Sequence, residues 1–122
     1  MRTKKIHIPI YEYDVLLVQV DDVEDADSIQ RALRRYSLGP DIMAEIIENI
    51  TDEVDGGAIT CFNAGAKLAV CVFYPCSDPV FYEATLDHEK RHVVDDILEH
   101  CNVNDKEAAA YLSGWLTTKF KI

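Results

Sequence analysis

Cations are scarce in this chain: 12 Lys and Arg stand against 22 Asp and Glu, a formal charge of −10. Nucleic-acid affinity comes mainly from basic side chains that neutralise phosphates, so DNA, RNA and anionic membranes are not expected partners. Long apolar runs are also missing. In the N-terminal stretch MRTKKIHIPIYEYDV, His7, Pro9, Glu12 and Asp14 interrupt every candidate, so it reads as neither a secretion signal nor a membrane span. The expected location is the cytoplasm. No low-complexity linker or internal repeat breaks the chain, which argues against a modular or disordered protein. The four cysteines, Cys61, Cys71, Cys76 and Cys101, form no CxxC pair. Neither a disulfide framework nor a zinc knuckle is expected, and the thiols read as reduced core residues.

What is present is 122 residues at 48% hydrophobic, enough for one domain over 1–122 with its own core. Ile6, Ile8 and Ile10 alternate over 4–11 and VLLVQV follows at 15–20, which predicts one bent strand or two short ones, with Pro9 favouring an edge. The acidic run DDVEDAD at 21–27 lacks the ligand pattern of an EF-hand and reads as the approach to a helix. That helix would bury Ile29, Ala32, Leu33 and Tyr36 and stop at Gly39 and Pro40. Asp41 can cap a second helix with Ile42, Ile46, Ile47 and Ile50 on one side. Residues 58–62 and 67–74 predict a hairpin about Asn63–Gly65, and KLAVCVFY is apolar on both faces, as a strand covered on both sides would be. Asp78 and Pro79 open a helix that runs to about His100. A last helix starts after Asn102 or Asn104, with Ala108, Tyr111, Leu112, Trp115 and Leu116 as its buried stripe. The expected fold is α+β: a small, mostly antiparallel sheet, two helices in the N-terminal half and a C-terminal helix pair.

The chemistry concentrates at His88-Glu89-Lys90-Arg91-His92, an H-E-x-x-H motif. Positions i and i+4 lie one above the other on a helix face, so His88 and His92 can share one zinc ion. Glu89 is then close enough to act on a zinc-bound water without being a ligand. A catalytic zinc normally has three protein ligands. The metzincin extension would need Gly at 95 and His or Asp at 98, and Asp95 and Leu98 exclude it. Glu107 is the better candidate: with Ala110 and Gly114 it forms a helix side whose small residues would allow close helix approach. Against it, a strict antiparallel hairpin would leave Glu107 roughly 9 Å along the axis from His92 at about 1.5 Å per residue. Asp96 and Glu99 are the alternatives, and either could instead orient an imidazole.

HEKRH followed by EAAAYLSGWLT resembles the small zinc metallopeptidases encoded by phages, prophages and related mobile elements, a minimal gluzincin-like group. The likeness is specific over 84–118 and weaker over IPIY and LLVQV. It implies a zincin-like domain in which His88, His92 and Glu107 bind Zn2+, Glu89 is the catalytic base and the substrate is a peptide or protein, in the host cytoplasm if the gene is phage-borne. It also implies that substrate lies extended along a strand edge near the motif helix, for which 67–74 is the nearest expected strand. The chain departs from better-known gluzincins in a short spacer and in Tyr111, where an Asp often supports a histidine.

Simpler roles stand beside these. The segment around His88, Glu89 and His92 is charged enough to be a solvated helix face. Asn104-x-x-Glu107 fits a capping box. His100 suits a helix C-terminus, Tyr111 suits the core or an oxyanion contact, and Cys101 suits a buried thiol better than a zinc ligand. A di-iron bundle would need a second Glu-x-x-His element, and none exists. The alternative to a peptidase is a catalytically silent, zinc-stabilised interaction module with an acidic surface for a basic partner.

Overall fold

The computed structural model describes residues 1–21, 26–36, 38–50 and 55–122. Most of the acidic run, residues 22–25, lies outside the described residues. The N-terminal alternation yields two strands, β1 (Arg2–Ile8) and β2 (Tyr13–Gln19), paired antiparallel from Arg2↔Gln19 to Ile8↔Tyr13. Ile6 and Ile8 point into the core, but Ile10 is 86% exposed. The alternation ends at Pro9, which cannot donate to a ladder, and the chain turns there before β2.

From β2 the chain passes through α1 (Ala26–Leu33), a short 3-10 turn at Arg34–Tyr36 and α2 (Pro40–Ile50), then returns as the hairpin β3 (Ala58–Asn63) and β4 (Leu68–Phe73). Ile29 and Leu33 of α1 and Ile46 of α2 are buried. Gly39 takes φ +83 and Pro40 is the first residue of α2, so Pro40 opens the second helix instead of closing the first. Asp41 lies inside that first turn and is not its cap.

The strand order is β1-β2-β4-β3, with β2 and β4 parallel and both outer pairs antiparallel. The sheet is therefore mixed, because the chain reaches β4 through a helical crossover. All six β4 residues are buried, as its two apolar faces require. One face packs with Ile29, Leu33 and Ile46; the other packs with Val93, Val94, Ile97, Leu112 and Leu116 of the C-terminal helices.

Those helices are α3 (Pro79–His100) and α4 (Lys106–Thr117). Asp78 caps α3 by accepting from the backbone N–H of Val80 at 2.9 Å and of Phe81 at 3.4 Å. At its end Asn102 adopts φ +58 and the Val103 N–H returns to the Leu98 carbonyl at 2.8 Å. Asp105, not Asn102 or Asn104, caps α4 by accepting from the Glu107 N–H at 2.9 Å. This replaces the expected Asn104–Glu107 box. The buried stripe of α4 is also shifted: Leu112 and Leu116 are inside, while Tyr111 is 78% and Trp115 37% exposed. The helix is rolled so that Ala109 and Ser113 share its inner side.

Candidate metal centre

On a helix turning about 100° per residue, Thr85, Glu89, Val93 and Ile97 follow one buried side of α3, and His88 and His92 share the exposed side next to it. Lys90 is two residues from each imidazole, about 200° around the helix, and its ammonium donates to Thr117 Oγ1 of α4 at 2.8 Å. Helix α4 and the two imidazoles therefore flank α3 on opposite sides.

The Nε2 atoms of His88 and His92 are 3.0 Å apart, with the rings at 79° to one another. A tetrahedral zinc with Zn–N bonds of about 2.0–2.1 Å separates two ligand nitrogens by about 3.3 Å, so the pair is nearly preformed for one ion. The ligand atoms of His88, Glu89 and His92 all lie within 4.8 Å of one another. Two imidazoles and a carboxylate are a donor set that suits zinc.

Glu89 is 6% exposed, unusual for a carboxylate. Its Oε2 accepts a hydrogen bond from the Thr60 hydroxyl of β3, and the Cys71 sulfur of β4 lies 3.4 Å from that hydroxyl oxygen. Burial pushes the Cys71 thiol up to about 12, so it stays neutral beside the carboxylate. His88 and Glu89 line a groove of about 370 Å³ with Gly57, Ala58, Phe81, Ala84 and Thr85.

The groove lies beside the start of β3, and 67–74 does not supply the strand edge expected near the motif helix. Residues 68–73 lie inside the sheet with partners on both sides; among the described residues β3 is the edge strand next to α3. A strand's own pattern says that it is buried but not which neighbours pair with it.

Glu107 is not brought to the imidazoles. It is exposed, about 140° around α4 from the inner Leu112, and belongs to no metal-competent group among the described residues. The small-residue side does not draw the helices together: a Cβ added at Gly114 would meet nothing within 4 Å. Tyr111 lines an apolar groove with Trp115 and the Ile8–Tyr11 turn, by β1, the edge of the sheet opposite β3. It is neither core nor near the motif. Asp96, half-buried one turn past His92, is raised above its ordinary value by burial, against the pull of His92. Glu99 lies in a separate groove with Arg91 and Asp95 where α3 meets the start of α4. The His100 ring stands edge-on to Tyr13 at 5.6 Å in the last turn of α3. Cys61 and Cys71 are buried and Cys76 and Cys101 half-buried, all four as free thiols.

Thr60 was missed in the sequence. The available signal was the alternation Ala58, Thr60, Phe62, which turns one hydroxyl toward α3. No helix among the described residues is long and apolar enough to cross a membrane. Comparison with known proteins gives no match: no family model, no curated protein and no solved structure is significantly similar to this chain.

Proposed function

We propose that this chain is a zinc-dependent peptidase with a minimal H-E-x-x-H site, in which His88 and His92 hold the metal and Glu89 is the general base. The observation that carries the reading is the imidazole pair, 3.0 Å apart and within 4.8 Å of a Glu89 carboxylate oxygen. Zinc, when bound, supplies a Lewis acid that polarises the peptide carbonyl and lowers the pKa of a water to about 7. Glu89 takes a proton from that water as its oxygen bonds to the carbonyl carbon, then gives the proton to the amide nitrogen as the C–N bond breaks. The reading rests on His88, Glu89 and His92, and not on Glu107, whose carboxylate is not in the group that gathers there. The free edge of β3 and the groove beside it offer an extended peptide backbone partners and a place for a side chain.

The test is to load the protein with zinc, incubate it with denatured casein and identify new amino termini by mass spectrometry. Cleavage that stops on chelation and resumes with zinc supports the reading. Stoichiometric zinc with no cleavage overturns it and leaves the interaction module.

A further inference from the structure

Glu89 presents a physical problem that the motif alone does not explain. A carboxylate on the buried side of a helix loses its water, which is costly unless donors replace it. Its side chain also has several rotatable bonds, so a base in this position needs something to fix its direction. The neighbours on the sheet face it meets are mostly apolar: Ala58, Phe62, Ala69, Cys71 and Phe73 belong to the same cluster as the inner residues of α3. Thr60 stands among them, between Ala58 and Phe62 on β3 and opposite Cys71 on β4, and its hydroxyl donates to Glu89 Oε2.

We propose that Thr60 is the positioning residue for Glu89, tying one carboxylate oxygen to β3 so that the other is kept for the proton of the attacking water; this rests on the peptidase reading above. A hydroxyl suits the task because it donates one hydrogen bond and brings no charge. A lysine here would neutralise the base, and a valine of similar shape would leave a buried carboxylate without its donor. The neutral Cys71 thiol beside Thr60 adds no competing negative charge. The tether also crosses from α3 to the strand whose free edge adjoins the groove, so base and substrate track share one rigid element. Thr60 does not exchange its own proton with substrate.

The test uses the full chain and four variants, Thr60→Val, Thr60→Ser, Glu89→Leu and Thr60→Val/Glu89→Leu, with two readouts. On zinc-loaded protein with dye-quenched casein, Thr60→Val is expected to lower kcat by about tenfold or more while KM and zinc content hold, and Thr60→Ser to restore most of it. On zinc-free protein in urea, Thr60→Val should raise the unfolding constant about fivefold when Glu89 is present and change it little when residue 89 is leucine. Wild-type kcat in Thr60→Val, or an equal cost in both backgrounds, overturns the proposal. If the wild type cleaves nothing yet the two sites are coupled in urea, the peptidase reading falls while the tether stands. If the wild type cleaves and Thr60→Val cleaves equally well, the tether falls while the peptidase reading stands.

Discussion

Gly56 leaves to the Phe81 ring the space that any other residue would claim: a Cβ added there would lie 2.8 Å from Phe81 Cε1 and 3.0 Å from Cys76 Sγ. Its φ of +89 independently favours glycine. Phe81 walls the groove beside His88 and Glu89, so this loop joins the frame of the site to the start of β3.

Gly56→Ala is therefore expected to destabilise the protein by about 2 kcal/mol, from strain and contact together. Gly57→Ala separates the two causes, because Gly57 has the same φ of +89 with nothing within 4 Å of its added Cβ. It should cost less, and urea midpoints of both variants measure the difference. Equal costs would mean that the Phe81 contact contributes nothing.

Local signals made much of this molecule legible, and their limits explain the rest. Asp78-Pro79 marked the start of α3, and the two-sided apolar pattern of β4 marked a strand with cover on both faces, because cap and burial patterns are written within one element. The i, i+4 spacing of His88 and His92 is likewise a property of one helix. Relations between elements were not legible. Which strand would have a free edge beside α3 depended on the parallel pairing of β2 with β4, reached through a crossover. The roll of α4 was hidden because an apolar arc from Tyr111 to Leu116 is wider than the contact that buries it, so Leu112 and Leu116 went inside and Tyr111 stayed out. The same roll leaves Glu107 exposed.

The imidazole pair predicts a metal dependence that needs no substrate. Wild-type protein equilibrated with zinc and desalted should carry about one ion per chain, and His88→Ala should lose it, since removing one of two imidazoles leaves an exposed monodentate site. Atomic absorption provides the check. Undiminished zinc in His88→Ala would place the ion elsewhere on the chain.

Glu89→Gln separates binding from turnover. The amide keeps the shape of the carboxylate but cannot accept the water's proton, so turnover should fall by about 10²–10⁴-fold with zinc content unchanged. In the amide, a side-chain oxygen can still accept from the Thr60 hydroxyl, so the fold should tolerate the change. Loss of a peptidase activity in step with loss of zinc would show Glu89 to be a ligand instead of a base.

The loop before β3 also carries an acid-sensitive clamp. Asp55 accepts from the Ser77 backbone N–H at 3.0 Å and from its hydroxyl, just ahead of the Asp78 cap of α3. These bonds, the hydroxyl's foremost, hold the Asp55 carboxyl below its usual value. A carboxylate whose folded pKa is depressed stabilises the protein fully above its unfolded pKa of about 3.9 and loses that contribution as the pH falls through the lower folded value. Asp55→Ala should therefore be less stable than wild type at pH 7, and the gap between the two urea midpoints should narrow as the pH is taken from about 5 toward the depressed value. Because the clamp lies on the surface, the effect should be modest. A gap that stays constant through that range would mean that Asp55 acts through loop conformation and not through its charge.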